Sequence, residues 1–170
     1  MGLKKVKIDE LDFNPFTKIG KEWCLITAGD SVKNCNTMTA SWGSMGVLWH
    51  KNVVTVFIRP QRYTKEFINQ STHFSLSFFN SEHRKDLSYL GKVSGRDNPD
   101  KIAEVGLHPI EIDQVISFKE ANFIFVVKKI YHDQLESDSF LLDDLVTKYY
   151  PEHDFHEFFV AEIEAIYTKE

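Results

Sequence analysis

The feature that most restricts what this chain can fold into is a period of two. In His73–Phe79 (HFSLSFF), Phe74, Leu76 and Phe78 point one way while His73, Ser75 and Ser77 point the other, as in a strand with one polar face. Phe158–Tyr167 (FFVAEIEAIY) alternates too, with Glu162 and Glu164 on its exposed side and Ala161, Ile163, Ala165 and Tyr167 opposite. Trp23–Ala28 (WCLITA), which runs into a Gly29-Asp30 turn signal, and Val53–Ile58 (VVTVFI), halted by Pro60, read as strands. So do Pro109–Phe118 and Ala121–Tyr131 (ANFIFVVKKIY). Helices are few and short. Tyr63–Gln70 spans one or two turns with Phe67 and Ile68 inward, Asn98–Glu104 has Pro99 in its first turn and closes at Gly106, and Asp143–Tyr150 stops at Pro151. Strands that do not alternate with helices predict a mainly β fold, an antiparallel barrel. No GxGxxG occurs (Gly43 and Gly46 lack that spacing) and no phosphate-loop motif is present, so a Rossmann reading fails.

With 170 residues, 42% of them hydrophobic, the chain has the material for one domain, residues 1–170, with a full core. Fourteen Phe suit wide aromatic-lined sheets better than a helical bundle. The start, MGLKKVKIDE, lacks a signal peptide's apolar run and no stretch reaches spanning length, so a cytoplasmic protein without membrane contact is expected. Val6 argues against myristoylation at Gly2. Cys24 and Cys35 form no CxxC pair, and no disulfide is expected.

Charge separates one stretch from the rest. Ser31–Lys65 contains no Asp or Glu, although the chain has 25. An even spread would put about five there. Lys33, Lys51, Arg59, Arg62 and Lys65 give the stretch +5 within a chain of net charge −5. An acid-free, hydroxyl-rich segment in an acidic protein is suited to a small anion. A pI of about 5.8 argues against nucleic acid. Thr37, Thr39 and Ser41 share a strand face, which is either a plain polar surface or a set of donors to a phosphate or a heterocycle edge. Arg59-Pro-Gln-Arg62-Tyr-Thr64 ends a strand and begins a helix, bringing two guanidinia, a hydroxyl and helix N-terminal N–H groups to one place. Trp42 and Trp49 either flank a planar ring or pack in a core or interface. His153-x-x-His156 has no third ligand nearby, so a solvated loop and no metal are expected.

Taken together, NTMTASWGSMG with LWHK, VFIRPQRYT, LSFF, SGRD-x-PDKIAEVGL and YYPEHDFHEFFVAEI follow one another in an order that resembles the flavin reductase-like family. The resemblance runs from about Ile26 to Ile163. It implies the FMN-binding split β-barrel, antiparallel and of Greek-key type, and a homodimer with FMN near the subunit interface. Relatives either reduce flavin with NADH or NADPH or carry electrons as flavoredoxins to a redox partner protein. By this resemblance Asn36, Thr37, Met38, Thr39, Ala40, Ser41 and Trp42 line the ring and ribityl chain. Arg59, Arg62, Tyr63 and Thr64 hold the phosphate and its surroundings. Ser94, Gly95, Arg96 and Asp97 close the pocket from one subunit or the other; the alternative is a charged loop with Asp97 capping the helix after it. Where relatives often carry a basic residue after an aromatic and a His, this chain has Glu157, an acid expected to weaken attraction for a second nucleotide's phosphates. Hydride transfer to flavin needs no dedicated acid or base, so no catalytic residue is assigned. Three classes stay open: a reductase, an electron carrier, and a module whose basic stretch docks an acidic chain.

Overall fold

The computed structural model describes residues 2–170. In chain order the strands are β1 (Leu3–Val6), β2 (Cys24–Ser31), β3 (Asn34–Ala40), β4 (Gly43–Leu48), β5 (Lys51–Ile58), β6 (His73–Phe78), β7 (Pro109–Ile112), β8 (Val115–Phe118), β9 (Phe123–Gln134) and β10 (Glu157–Lys169). The helices are α1 (Pro15–Thr17), α2 (Thr64–Gln70), α3 (Arg84–Lys92), α4 (Lys101–Glu104) and α5 (Asp143–Tyr149). One antiparallel sheet runs β3-β2-β6-β9-β10-β5-β4, with β1 added beside β10, and β7 and β8 form a separate hairpin.

The longest strand sets the curvature. β10 pairs with β5 through its first half (Glu157↔Ile58 to Glu162↔Val53) and with β1 through its end (Val6↔Ile166 to Leu3↔Lys169), while β9 follows its other edge. A strand serving three partners must bend. Register shifts at Val160/Ala161 and Ile163/Ala165 supply the bend, as bulges do. Among the described residues no ladder joins β3 to β4, so the barrel stays split between them. The chain crosses that opening at Ser41 and Trp42.

Inside the barrel, Phe74, Leu76 and Phe78 of β6 meet Ile26, Val56, Phe125 and Phe159. Phe13 stands edge-on to Phe78 at 4.9 Å, closing one end. Each such buried side chain contributes about 1.5–3 kcal/mol of transfer free energy. A second core lies outside the sheet, where Leu87 and Leu90 of α3 pack with Ile102, Leu107, Phe118 and Ile124. The serines of β6 face this side, not solvent. Ser75 Oγ donates to the Ile116 carbonyl (2.6 Å) and Ser77 Oγ bonds Ser117 Oγ (2.8 Å), both buried. The expected polar face is therefore a buried, hydrogen-bonded seam under the β7–β8 hairpin, as buried hydroxyls require. Pro109–Phe118, expected as one strand, is two, turning at Asp113, which adopts φ 50°.

Candidate functional site

At the end of β5 the Arg62 N–H bonds the Arg59 carbonyl (3.1 Å), closing a turn with Pro60 at its favoured second position. Lys65 N–H then bonds Arg62 O (3.0 Å) and Glu66 N–H bonds Tyr63 O (3.1 Å), so α2 grows directly out of the turn. Those two N–H groups are thereby used within the chain and are not offered to an anion. The turn's two guanidinia stand on one side, over β3.

Two cavities adjoin there, sharing Met38, Arg59 and Arg62 in their walls. The larger, about 340 Å³, is bounded by Asn36, Thr37 and Met38 of β3, by Gln61, Tyr63 and Thr64, and by Lys92–Gly95 with Lys101. The smaller, about 170 Å³, is bounded by Thr39, Ala40, Ser41 and Trp42, with Phe57 and His156 opposite. Together they form a groove along the open edge of the barrel. Among the described residues four cations line it, Arg59, Arg62, Lys92 and Lys101, and no carboxylate does.

The guanidinia are held by backbone carbonyls and, for Arg59, by one carboxylate that lines neither cavity. Arg62 Nη1 donates to the Gly91 carbonyl (2.6 Å); burial and the neighbouring Arg59 charge lower its pKa. Arg59 pairs with Asp154, donates to Tyr149 O (2.7 Å) and lies 5.1 Å from the Tyr150 ring. Hydrogen bonds from Gln61 and Arg59 hold the Asp154 carboxyl below its usual range. Lys101 is buried, and burial together with Arg62 lowers its pKa to about 8.

The other end is aromatic. His156 Nδ1 bonds the Tyr150 hydroxyl (2.8 Å), and its ring lies 5.3 Å from Trp42. Burial, then the Arg59 charge, lowers its pKa to about 4, so this imidazole is neutral at physiological pH. It is buried, against the expectation of a solvated loop; His153 is exposed at φ 54°.

Most of the residues chosen from the sequence converge here. Asn36, Thr37, Met38, Arg59, Arg62, Tyr63, Thr64, Ser94 and Gly95 bound the larger cavity, and Thr39, Ala40, Ser41 and Trp42 the smaller. Two hydroxyls expected as ligand donors are otherwise engaged. Thr37 Oγ1 shares a bond with Thr27 Oγ1 (2.8 Å) and donates to Ile26 O (3.1 Å), while Thr39 Oγ1 donates to Leu87 O (2.5 Å). Asn36 Nδ2 instead reaches across to Thr64 Oγ1 (2.8 Å). Gly95 seats on Asn36 so closely that a Cβ there would run into the carboxamide.

Arg96 and Asp97 stand outside both cavities. Arg96 pairs with Glu66 and lies 5.0 Å from the Tyr63 ring, and exposed Asp97 bonds Ser94 O through its N–H (3.2 Å). Asp97 does not cap α4, whose N-cap is Asp100. Trp49 lies at the β4–β5 turn, 6.3 Å from Tyr131, and lines neither cavity. Glu157 pairs with Lys65 at 2.9 Å, so its charge is compensated in part within the chain. Lys101, His156 and Phe57 are groove residues that the sequence reading did not select. Phe57 lies in β5 and Lys101 in α4 without a marker of their own, while His156, in the loop just before β10, enters the sequence reading only as half of a metal pair.

The chain belongs to the flavin reductase like domain family, whose sequence model matches residues 16–170. Its structure is similar to the FMN-binding domain of a flavin reductases-like enzyme from Shewanella baltica OS155 (TM-score 0.69, 16% identity, 98% of this chain and 77% of that one). It is also similar to flavoredoxin from Methanosarcina acetivorans (TM-score 0.66, 22% identity, 98% and 76%). The flavin reductase of styrene monooxygenase from Pseudomonas putida S12 matches at TM-score 0.62 and 15% identity, over 88% and 80%. No curated protein sequence matches. The fold is thus the split barrel of flavin reductase-like proteins.

Proposed function

We propose that the groove holds FMN and that the protein is a flavin reductase taking hydride from NADH or NADPH. The carrying observation is the lining: four cations and no carboxylate at one end, and Trp42, Phe57 and His156 at the other. A phosphate suits the first and a flat heterocycle the second. Arg59, Arg62 and Lys92 would hold the phosphate, with Thr64 and Ser94 beside them, and Met38, Ala40, Ser41 and Trp42 the ring. FMN, when bound, supplies the hydride-accepting ring and the electrons passed onward.

The chain's own groups prepare that site. Asp154 and Tyr149 O fix Arg59, and Gly91 O fixes Arg62, so little side-chain freedom is left to lose on binding. Neutral His156 brings no charge to the aromatic end. We read the protein as a single-domain homodimer of the cytoplasm. Its unpaired Cys24 and Cys35 suit a reducing compartment.

The test is the absorption spectrum of purified protein, before and after NADH or NADPH without oxygen. Flavin bands that bleach on addition are expected. Flavin that bleaches only with a chemical reductant would make the protein an electron carrier for a partner protein. Failure to retain or take up FMN would remove the reading.

A further inference from the structure

Among the described residues, Lys101 is the only lysine, arginine or carboxylate that is buried, at 2% exposure. Its Nζ donates to three backbone carbonyls, Thr37 O on β3 (2.7 Å), Val93 O (2.9 Å) and Leu90 O on α3 (3.3 Å). An ammonium has three donors, so none remains for a ligand. Its hydrogen bonds are complete, yet no carboxylate balances its charge. Buried charges are normally paired. The carbonyl dipoles compensate in part, and the open side is the cation-lined groove that Lys101 helps to wall.

We infer that Lys101 is a positioning residue which pins β3 to the end of α3 and whose buried charge is completed by the ligand's phosphate, so that binding and its protonation are coupled. This rests on the reading of the groove as an FMN site. The groups around Lys101 fit the coupling. Arg62 faces it from the β5–α2 turn and lowers its pKa, and Lys92 joins it in the groove wall from α3. On β3, Cys35 is pushed up to about 11 by burial and by Asp30. On its own helix, Asp100 and Glu104 are exposed, and Glu104 is engaged by the Tyr89 hydroxyl and by Asn98 Nδ2 (2.9 Å). With positive neighbours on the groove side, Lys101 at about 8 is partly deprotonated in mildly alkaline solution, and a dianion beside it restores the proton.

The experiment is calorimetric titration with FMN and with riboflavin, which lacks the phosphate, in buffers of different ionisation enthalpy. If the phosphate returns Lys101 to an ordinary lysine value, about three-quarters of a proton is taken up per FMN at pH 8.5. Affinity then falls roughly twentyfold between pH 7.5 and 9.5. Riboflavin should show neither effect. Lys101→Arg, charged throughout, should bind FMN with a flat profile, and Lys101→Met should bind weakly if it folds. FMN binding without proton uptake, equal uptake with riboflavin, or an unchanged slope in Lys101→Arg would overturn the inference alone. Absence of FMN binding would overturn it together with the site.

Discussion

Arg59 and Arg62 are two residues of one turn with different supports. Arg62 has only the Gly91 carbonyl among its side-chain partners, so Arg62→Ala removes a guanidinium and leaves no buried carboxylate behind. FMN affinity should drop by roughly 1.5–3 kcal/mol, about ten- to 150-fold, with riboflavin little changed. Equal losses for both ligands in a fluorescence titration would show that the arginine does not read the phosphate. Arg59→Ala should cost more, because half-buried Asp154, whose Oδ1 already lacks a partner, then loses its cation beside the groove. His156 gives a separate pH signature. Its folded pKa of about 4 lies below the unfolded value of about 6.5. The unfolded state therefore binds more protons between these values, and stability falls as pH drops through that window. The loss is on the order of 3 kcal/mol in full. Urea midpoints at pH 7, 5 and 4 should fall in the wild type, with a shallower trend in His156→Gln. Parallel trends would remove His156 as the cause.

Short elements carry most of the departures from what the sequence suggested. β6 and β10 were legible because alternation reports a buried face directly, and β5 and β9 because they are apolar, β-branched runs. α3 was not. Only Leu87 and Leu90 are buried in it, and a two-residue stripe amid charged neighbours is too short to register. β6 shows the converse limit: alternation located its strand, yet nothing local tells a solvated serine from one roofed by a distant hairpin. The β4–β5 connection is another case, with Trp49 at φ 52° and His50 at φ 57°. Two positive φ values in succession suit Asn-Gly, and bulky residues there cost about 1–2 kcal/mol each. Replacing Trp49-His50 by Asn-Gly should raise the urea midpoint without altering FMN affinity, since neither residue lines the groove. A lower midpoint would mean that the exposed Trp49 ring contributes more than the turn loses.

At the scale of the whole molecule, charge and topology place the site together. The chain is −5 overall, while its split edge gathers Arg59, Arg62, Lys92 and Lys101. A local positive field in an acidic protein draws in small anions and leaves polyanions unfavoured. The acid-free stretch made the β3 and β5 walls legible from residues alone. Ser94 and Gly95 came only through family resemblance, because nothing local says that a loop so far along the chain returns to β3. No helix among the described residues is long and apolar enough to cross a membrane. The most direct test is a crystal structure of the protein soaked with FMN. Density should place the phosphate between Arg59 and Arg62 and the ring against Trp42 and His156. Flavin bound anywhere else, or no flavin at saturating concentration, would contradict the account.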